Sequence, residues 1–161
     1  MSKAQTVPTT AVDPTVAAAA SQFLSPIVLG LEALTVNGKQ AHWHVRGANF
    51  VGVHELLDTI VTHAGDFADT AAERIVALGL PIDARIETVA AKAGATAVPA
   101  GFAQSDDLIR AVISDIDTIL ADVKAAIDGL DEVDLTSQDV AIEIMRGLEK
   151  DRWFLVSHIA A

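Results

Sequence analysis

Apolar and polar positions along this chain group into long segments of helical composition, rich in Ala, Leu, Ile and Val and cut by Pro, Gly and acidic cap signals. No strand-like alternation competes, so the pattern predicts an all-α chain. Asp13-Pro14 reads as the N-cap and first residue of a short lead-in helix. Ser25-Pro26 repeats the device, because Pro suits the first helical turn and breaks a helix interior. A first main helix then runs from about Pro26 to His44. Arg46-Gly47-Ala48-Asn49 makes a turn, and a second helix runs from about Phe50 to Leu78, stopped by Gly79 and Pro81. The connection from Ile82 to Phe102 is long and rich in Ala, Gly and Pro, yet IETVAAKA within it has the composition of a short helix. Ser105-Asp106-Asp107 opens a third long helix ending near Gly129. The segment from Asp134 to Ser137 opens a fourth that continues to about Ile159. The expected division is a tail with a lead-in helix over residues 1–25 and one bundle domain over residues 26–161.

The polar positions of the second helix carry the chemistry. With His42 just before it, His54, Asp58, Asp69 and Glu73 supply two imidazoles and three carboxylates, a donor set suited to iron and other divalent first-row metals. His54/Asp58 and Asp69/Glu73 are each i, i+4 pairs, and all four positions fall within an arc of about 100° on one helix. Along the axis the two pairs stand roughly 16 Å apart, too far to surround one ion. Two copies packed antiparallel about a two-fold axis solve this, since both sets share a midpoint between His63 and Ala64. Position 54 then faces 73 of the mate, and 58 faces 69. Gly65, Ala64 and Ala68 are small enough to permit the approach. His63 lies roughly 180° from His54 and is given no catalytic role. His158, near the end of the last helix, is expected at a surface or interface, where a helix C-terminus favours positive charge.

The run QAHWHVRGANFVGVHELLDTIVTHAGDFADTAAER, from Gln40 to Arg74, resembles the signature of the Dps proteins, the mini-ferritins. LEKDRW, residues 148–153, extends the resemblance. It implies a ferritin-like four-helix bundle with a short helix between the second and third helices. It implies that the counterparts of His42, His54 and Asp58 come from one subunit and those of Asp69 and Glu73 from its two-fold mate. The expected reaction is oxidation of Fe²⁺, with hydrogen peroxide preferred over oxygen, and storage of ferric mineral in a hollow homododecamer that protects against oxidative stress. Trp43 is implied to sit beside the metal centre and take up oxidising equivalents, the competing reading being core packing. His44 departs from the family, which commonly has Asn or Tyr there. Asp134, Asp139 and Glu143 match the acidic segment that lines the family's three-fold iron-entry pore, with Asp131 and Glu132 at its outer funnel. Carboxylates at a helix start also need no function beyond complementing the helix dipole. No Glu here is followed by His three residues later, which disfavours a di-iron centre inside one bundle.

Charge changes the picture of the partners. The net charge is −11 at pH 7, and residues 1–14 hold Lys3 as their one cationic side chain, so DNA binding is expected to be weak. No cysteine is present, which removes disulfides and thiolate metal sites. No basic start followed by an apolar core suggests a signal peptide, and no run is expected to cross a bilayer, so a cytoplasmic location is expected. Two further classes stay open: a metal-dependent hydrolase of small amides or esters on the same cage, and a DNA-compaction protein. No G-x-S-x-G motif supports a serine hydrolase.

Overall fold

The computed structural model describes residues 12–160. Its long helices are α1 (Pro14–His44), α2 (Phe50–Ala77), α4 (Ser105–Leu130) and α5 (Leu135–Ile159), with the short α3 (Ile86–Lys92) in the long connection. This is the all-α bundle that the pattern predicts.

The start of α1 corrects one expectation. Asp13 caps it as anticipated, accepting from the Thr15 backbone N–H at 2.8 Å, with Pro14 in the first turn. The helix does not restart at Pro26, which lies inside a single 31-residue helix. An interior proline costs about 3 kcal/mol. Leu24, Ile27 and Val28 around it are almost fully buried, and each such side chain contributes about 1.5–3 kcal/mol. Tertiary burial outweighs the local break, so the lead-in segment and the first main helix are one rod. Its inner face already enters the core at Ala17 and Ala20. The Lys3 part of the tail lies outside the described residues.

The same rod corrects the expectation that no segment is apolar enough to cross a bilayer. By length and composition α1 is, with a mean hydropathy of 1.4. In the fold that apolarity lines the bundle core, through residues such as Leu24, Leu31 and Leu34.

Neighbouring helices run antiparallel. His42 meets His54 across α1 and α2, Gly30 meets Ile119 across α1 and α4, and His63 meets Asp151 across α2 and α5. In each seam the partner number falls as the other rises. The order around the bundle is α1, α2, α5, α4, with α3 lying on α1. Glycines set two of these seams. A Cβ on Gly129 of α4 would stand 2.2 Å from the Phe23 ring of α1, and one on Gly147 of α5 would stand 2.2 Å from Phe67 of α2. Each ring fills the space of an absent side chain.

One contact was not legible in the pattern. Val45–Arg46 (β1) and Ala103–Gln104 (β2) form a parallel two-residue pairing. It ties the end of the long connection to the end of α1. Gln40 reinforces the tie by donating to the Ala100 carbonyl at 3.0 Å, and the Arg46 guanidinium lies 3.4 Å from the Phe102 ring centroid.

Candidate metal centre

The seam between the end of α1 and the start of α2 brings His42, His54 and Asp58 together. The α1–α2 turn is short, and Gly47 takes the left-handed conformation (φ 126°) that glycine reaches without strain. Antiparallel pairing then puts the last turn of α1 beside the second turn of α2. His42 Nδ1 lies 2.8 Å from the His54 carbonyl, and His54 Nδ1 lies 2.9 Å from the His42 carbonyl. A carbonyl oxygen can only accept, so both Nδ1 atoms carry hydrogen and donate. Both Nε2 atoms of the neutral rings are therefore left with lone pairs, the form that binds a metal. The rings stack with centroids 3.7 Å apart.

Asp58, one turn after His54, lines the same cleft, which holds about 340 Å³ among His42, His54, Glu55, Asp58, Thr59 and Thr62. The Lys39 ammonium pairs with the Asp58 carboxylate. That hydrogen bond is the main cause of an Asp58 pKa below the ordinary carboxyl range; desolvation opposes it, and the Lys39 charge and the nearby His42 and His54 rings add smaller lowering effects. Lys39 escaped the sequence reading. The signal was its position three residues before His42, which places both on one helix face.

Asp69 and Glu73 project from the exposed face of α2. Among the described residues neither has a hydrogen-bond or ion-pair partner. No group of three or more His, Asp or Glu residues converges on a metal position among the described residues of one chain. The structure thus lines one cleft with three of the five candidate ligands, short of convergence on one ion, and leaves the other two facing outward.

The small residues expected at the two-fold contact do not all face it. Ala64 and Ala68 are buried in the bundle core and cannot meet a mate. Their Cβ atoms belong to the Val53, Leu57, Ile60 and Ile75 stripe, well over 60° around the helix from the middle of the ligand arc. Gly65 stays half-exposed on the ligand side, with Thr62 and Asp66 exposed beside it.

Trp43 follows His42 in the chain yet is 63% exposed. It is not a core aromatic of this bundle. His44 turns back along α1, with Nδ1 2.8 Å from the Gln40 carbonyl and its ring tilted against Phe102. His63 leaves the cleft entirely and donates to the buried Asp151 carboxylate at 3.0 Å. His158 is half-buried at the end of α5, beside Gly52.

The acidic start of α5 divides into two kinds of residue. Asp139 and Glu143 are exposed. Asp134 is committed within the chain: Arg74 Nη2 donates to its Oδ2 at 2.7 Å, Arg74 Nε donates to Ser137 Oγ at 2.9 Å, and Ser137 donates to the same carboxylate. Burial alone raises the Asp134 pKa, but the hydrogen bonds from Ser137 and Arg74 outweigh it and hold the carboxyl below its ordinary value.

An antiparallel four-helix bundle with one long crossover, carrying paired His and carboxylate donors on facing helices, defines a protein of the ferritin-like class. The ferritin-like domain family matches residues 32–161. A DNA protection during starvation protein of Agrobacterium fabrum is 36% identical over 75% of this chain and 75% of its own length. The structure of Dps from Microbacterium arborescens in the high iron form superposes with a TM-score of 0.92 at 70% identity, covering 94% of this chain and 99% of that one. A Mycobacterium smegmatis Dps structure is 26% identical with a TM-score of 0.88, covering 98% of this chain and 96% of that one. Within the ferritin-like class, this chain belongs to the Dps family.

Proposed function

We propose that the protein oxidises Fe²⁺ at centres shared between two copies and stores the ferric product, protecting its cell against oxidative stress. His42, His54 and Asp58 of one copy bind the substrate iron together with Asp69 and Glu73 of an antiparallel mate. The observation that carries this reading is the reciprocal pairing of His42 and His54, which presents two metal-binding nitrogens beside the Lys39-paired carboxylate of Asp58. The iron named for the Microbacterium arborescens structure agrees with this donor set.

Few protein ligands per ion leave positions for water and oxidant. Hydrogen peroxide is the preferred oxidant and oxygen the slower one. The O–O bond of peroxide breaks as each of two ferrous ions gives up one electron, and the two oxygens leave as hydroxide, which ferric iron takes up in the mineral. The Trp43 indole stands at the edge of the centre as a sink for stray oxidising equivalents. The assembly is a hollow cytoplasmic homododecamer, and Asp139 and Glu143 line its iron-entry pore with Asp134 as the anchored member. A net charge of −11 supports weak DNA binding at most.

The test is anaerobic addition of Fe²⁺ to the purified protein, followed by peroxide, with ferric absorbance recorded beside the His42→Ala variant. Rapid oxidation that the variant loses supports the shared centre. Oxidation no faster than in buffer overturns it.

A further inference from the structure

Asp151 of α5 is the one charged residue that the bundle buries among the described residues. A carboxylate there is costly unless it is paired, because the core offers it no water. Leu148 and Leu155, about one turn to either side of it on α5, are fully buried, as are Ile60 and Ala64 of α2. The one donor that reaches it among the described residues is His63 of α2, whose Nδ1 stands 3.0 Å from both carboxylate oxygens. A single N–H is thus shared between two acceptors.

The two partners sit on opposite sides of the water boundary. The His63 side chain is 41% exposed and that of Asp151 is 2% exposed. Nδ1–H points inward at the carboxylate, so the proton that an imidazolium here exchanges with solvent is the one on Nε2. Few other charges act on the pair. Lys150 acts on Asp151 from its own helix, and no charged group of α1 or α4 does so. Arg152, the next residue, is engaged with Asp117 of α4, and Asp66, three residues on from His63, is exposed. The charge balance of this seam therefore rests chiefly on the protonation of His63.

An imidazolium at His63 neutralises Asp151 across a direct contact. A neutral imidazole keeps the hydrogen bond but leaves an ionised carboxylate in the core, and opening the seam restores water to it. We propose that the His63–Asp151 pair is a pH-sensitive latch across the α2–α5 seam, closed while His63 carries its second proton and loosened when the imidazole gives that proton up. The exposed partner senses the solvent and the buried one responds. Since α2 also carries His54, Asp58, Asp69 and Glu73, the latch sets how firmly the donor-bearing helix is held. It stands independently of the iron chemistry proposed for those residues.

Amide hydrogen exchange of the purified protein, corrected for the intrinsic rise in rate with pH, tests this. Protection of the amides around His63 and Asp151 should fall by about tenfold or more between about pH 5.5 and about pH 8, with the amides around Gly30 and Ile119 in the α1–α4 seam unchanged. His63→Gln retains an N–H donor that cannot change charge, and should show low protection at both pH values. The double variant His63→Leu, Asp151→Leu replaces the pair by apolar side chains, a change that buried pairs commonly tolerate, and should show high protection at both. Where the single variant does not fold, the double variant alone decides. Wild-type protection that does not change with pH overturns the proposal. So does a pH-dependent loss that persists in the double variant, or one that is equal in the two seams, which would reflect repulsion across the whole acidic chain.

Discussion

His42 donates through Nδ1 to the backbone carbonyl of His54 at 2.8 Å, and His54 returns the same bond to the carbonyl of His42 at 2.9 Å. Among the described residues no third residue hydrogen-bonds either imidazole, though the Phe50 ring lies 5.2 Å from that of His54, so each ring's tautomer depends on the other's backbone. Truncating one ring removes a ligand and leaves the other ring with a free carbonyl neighbour in place of its stacked partner. His42→Ala should therefore slow rapid Fe²⁺ oxidation by about tenfold or more while costing about 1 kcal/mol of stability. Stopped-flow ferric absorbance and a urea titration measure the two effects separately. Wild-type kinetics in His42→Ala and in Asp58→Ala would remove these residues from the centre.

Lys39 occupies the Asp58 carboxylate, which the proposed iron centre would need. Replacing it with Met takes away both a competitor and a positive charge at the cleft. Binding of Co²⁺, a redox-stable stand-in for Fe²⁺, should tighten by roughly up to fivefold. The Asp58 pKa should rise toward its ordinary value, because Lys39 is the main cause of its depression. In the wild type Asp58 stays ionised as pH falls below 3.8, whereas in Lys39→Met it protonates nearer that value. Weaker Co²⁺ binding in the variant would show that Lys39 orients Asp58 instead of competing for it.

Asp134, paired with Arg74, and Asp139, exposed, represent two kinds of acidity at the start of α5. Asp134→Asn breaks a part-buried pair with Arg74 and should cost about 1–3 kcal/mol. Since the folded pKa of Asp134 is depressed, its contribution is present above pH 3.8 and is lost as pH falls through the folded value. Asp139→Asn, at an exposed position, should leave thermal unfolding within about 0.5 kcal/mol of wild type and slow iron uptake. Uptake curves that superpose on wild type would remove Asp139 from the entry route.

Asp151 is buried against His63 with its pKa raised, first by burial, while the His63 bond and charge and the Lys150 charge oppose the shift. A carboxyl raised in the folded state favours folding most at low pH. That contribution is lost as pH climbs from 3.8 through the raised folded value. Asp151→Asn keeps an acceptor for His63 Nδ1–H and cannot ionise. The stability difference between variant and wild type should therefore move in the variant's favour over that window, as read from urea midpoints at several pH values. A difference that stays constant with pH would mean that Asp151 ionises at its unfolded value.

Gly147→Ala puts a Cβ where the Phe67 ring lies and should cost about 1–3 kcal/mol through overpacking. Adding Phe67→Leu should recover part of it, because the smaller side chain vacates the space. Thermal unfolding of the single and double variants settles the matter. Independent, additive losses would place the two residues out of contact.

The sequence by itself determined the helices, the extent of α2 and α5, and the face on which His54, Asp58, Asp69 and Glu73 stand together. These are local quantities: cap chemistry, the Gly79 stop and the 3.6-residue turn act within a few residues. It also determined that these four positions of one helix could not gather around one ion, since axial rise is a property of a single helix. The tertiary structure decided whatever depends on what packs across a seam. Burial carried α1 through Pro26 against its local preference and drew Ala64 and Ala68 into the core. Antiparallel register brought Lys39 onto Asp58, tied His42 to His54, and spent Asp134 on Arg74. Contacts between residues far apart in the chain follow from which surfaces exclude water together. No spacing within one helix encodes the identity of the side chain opposite.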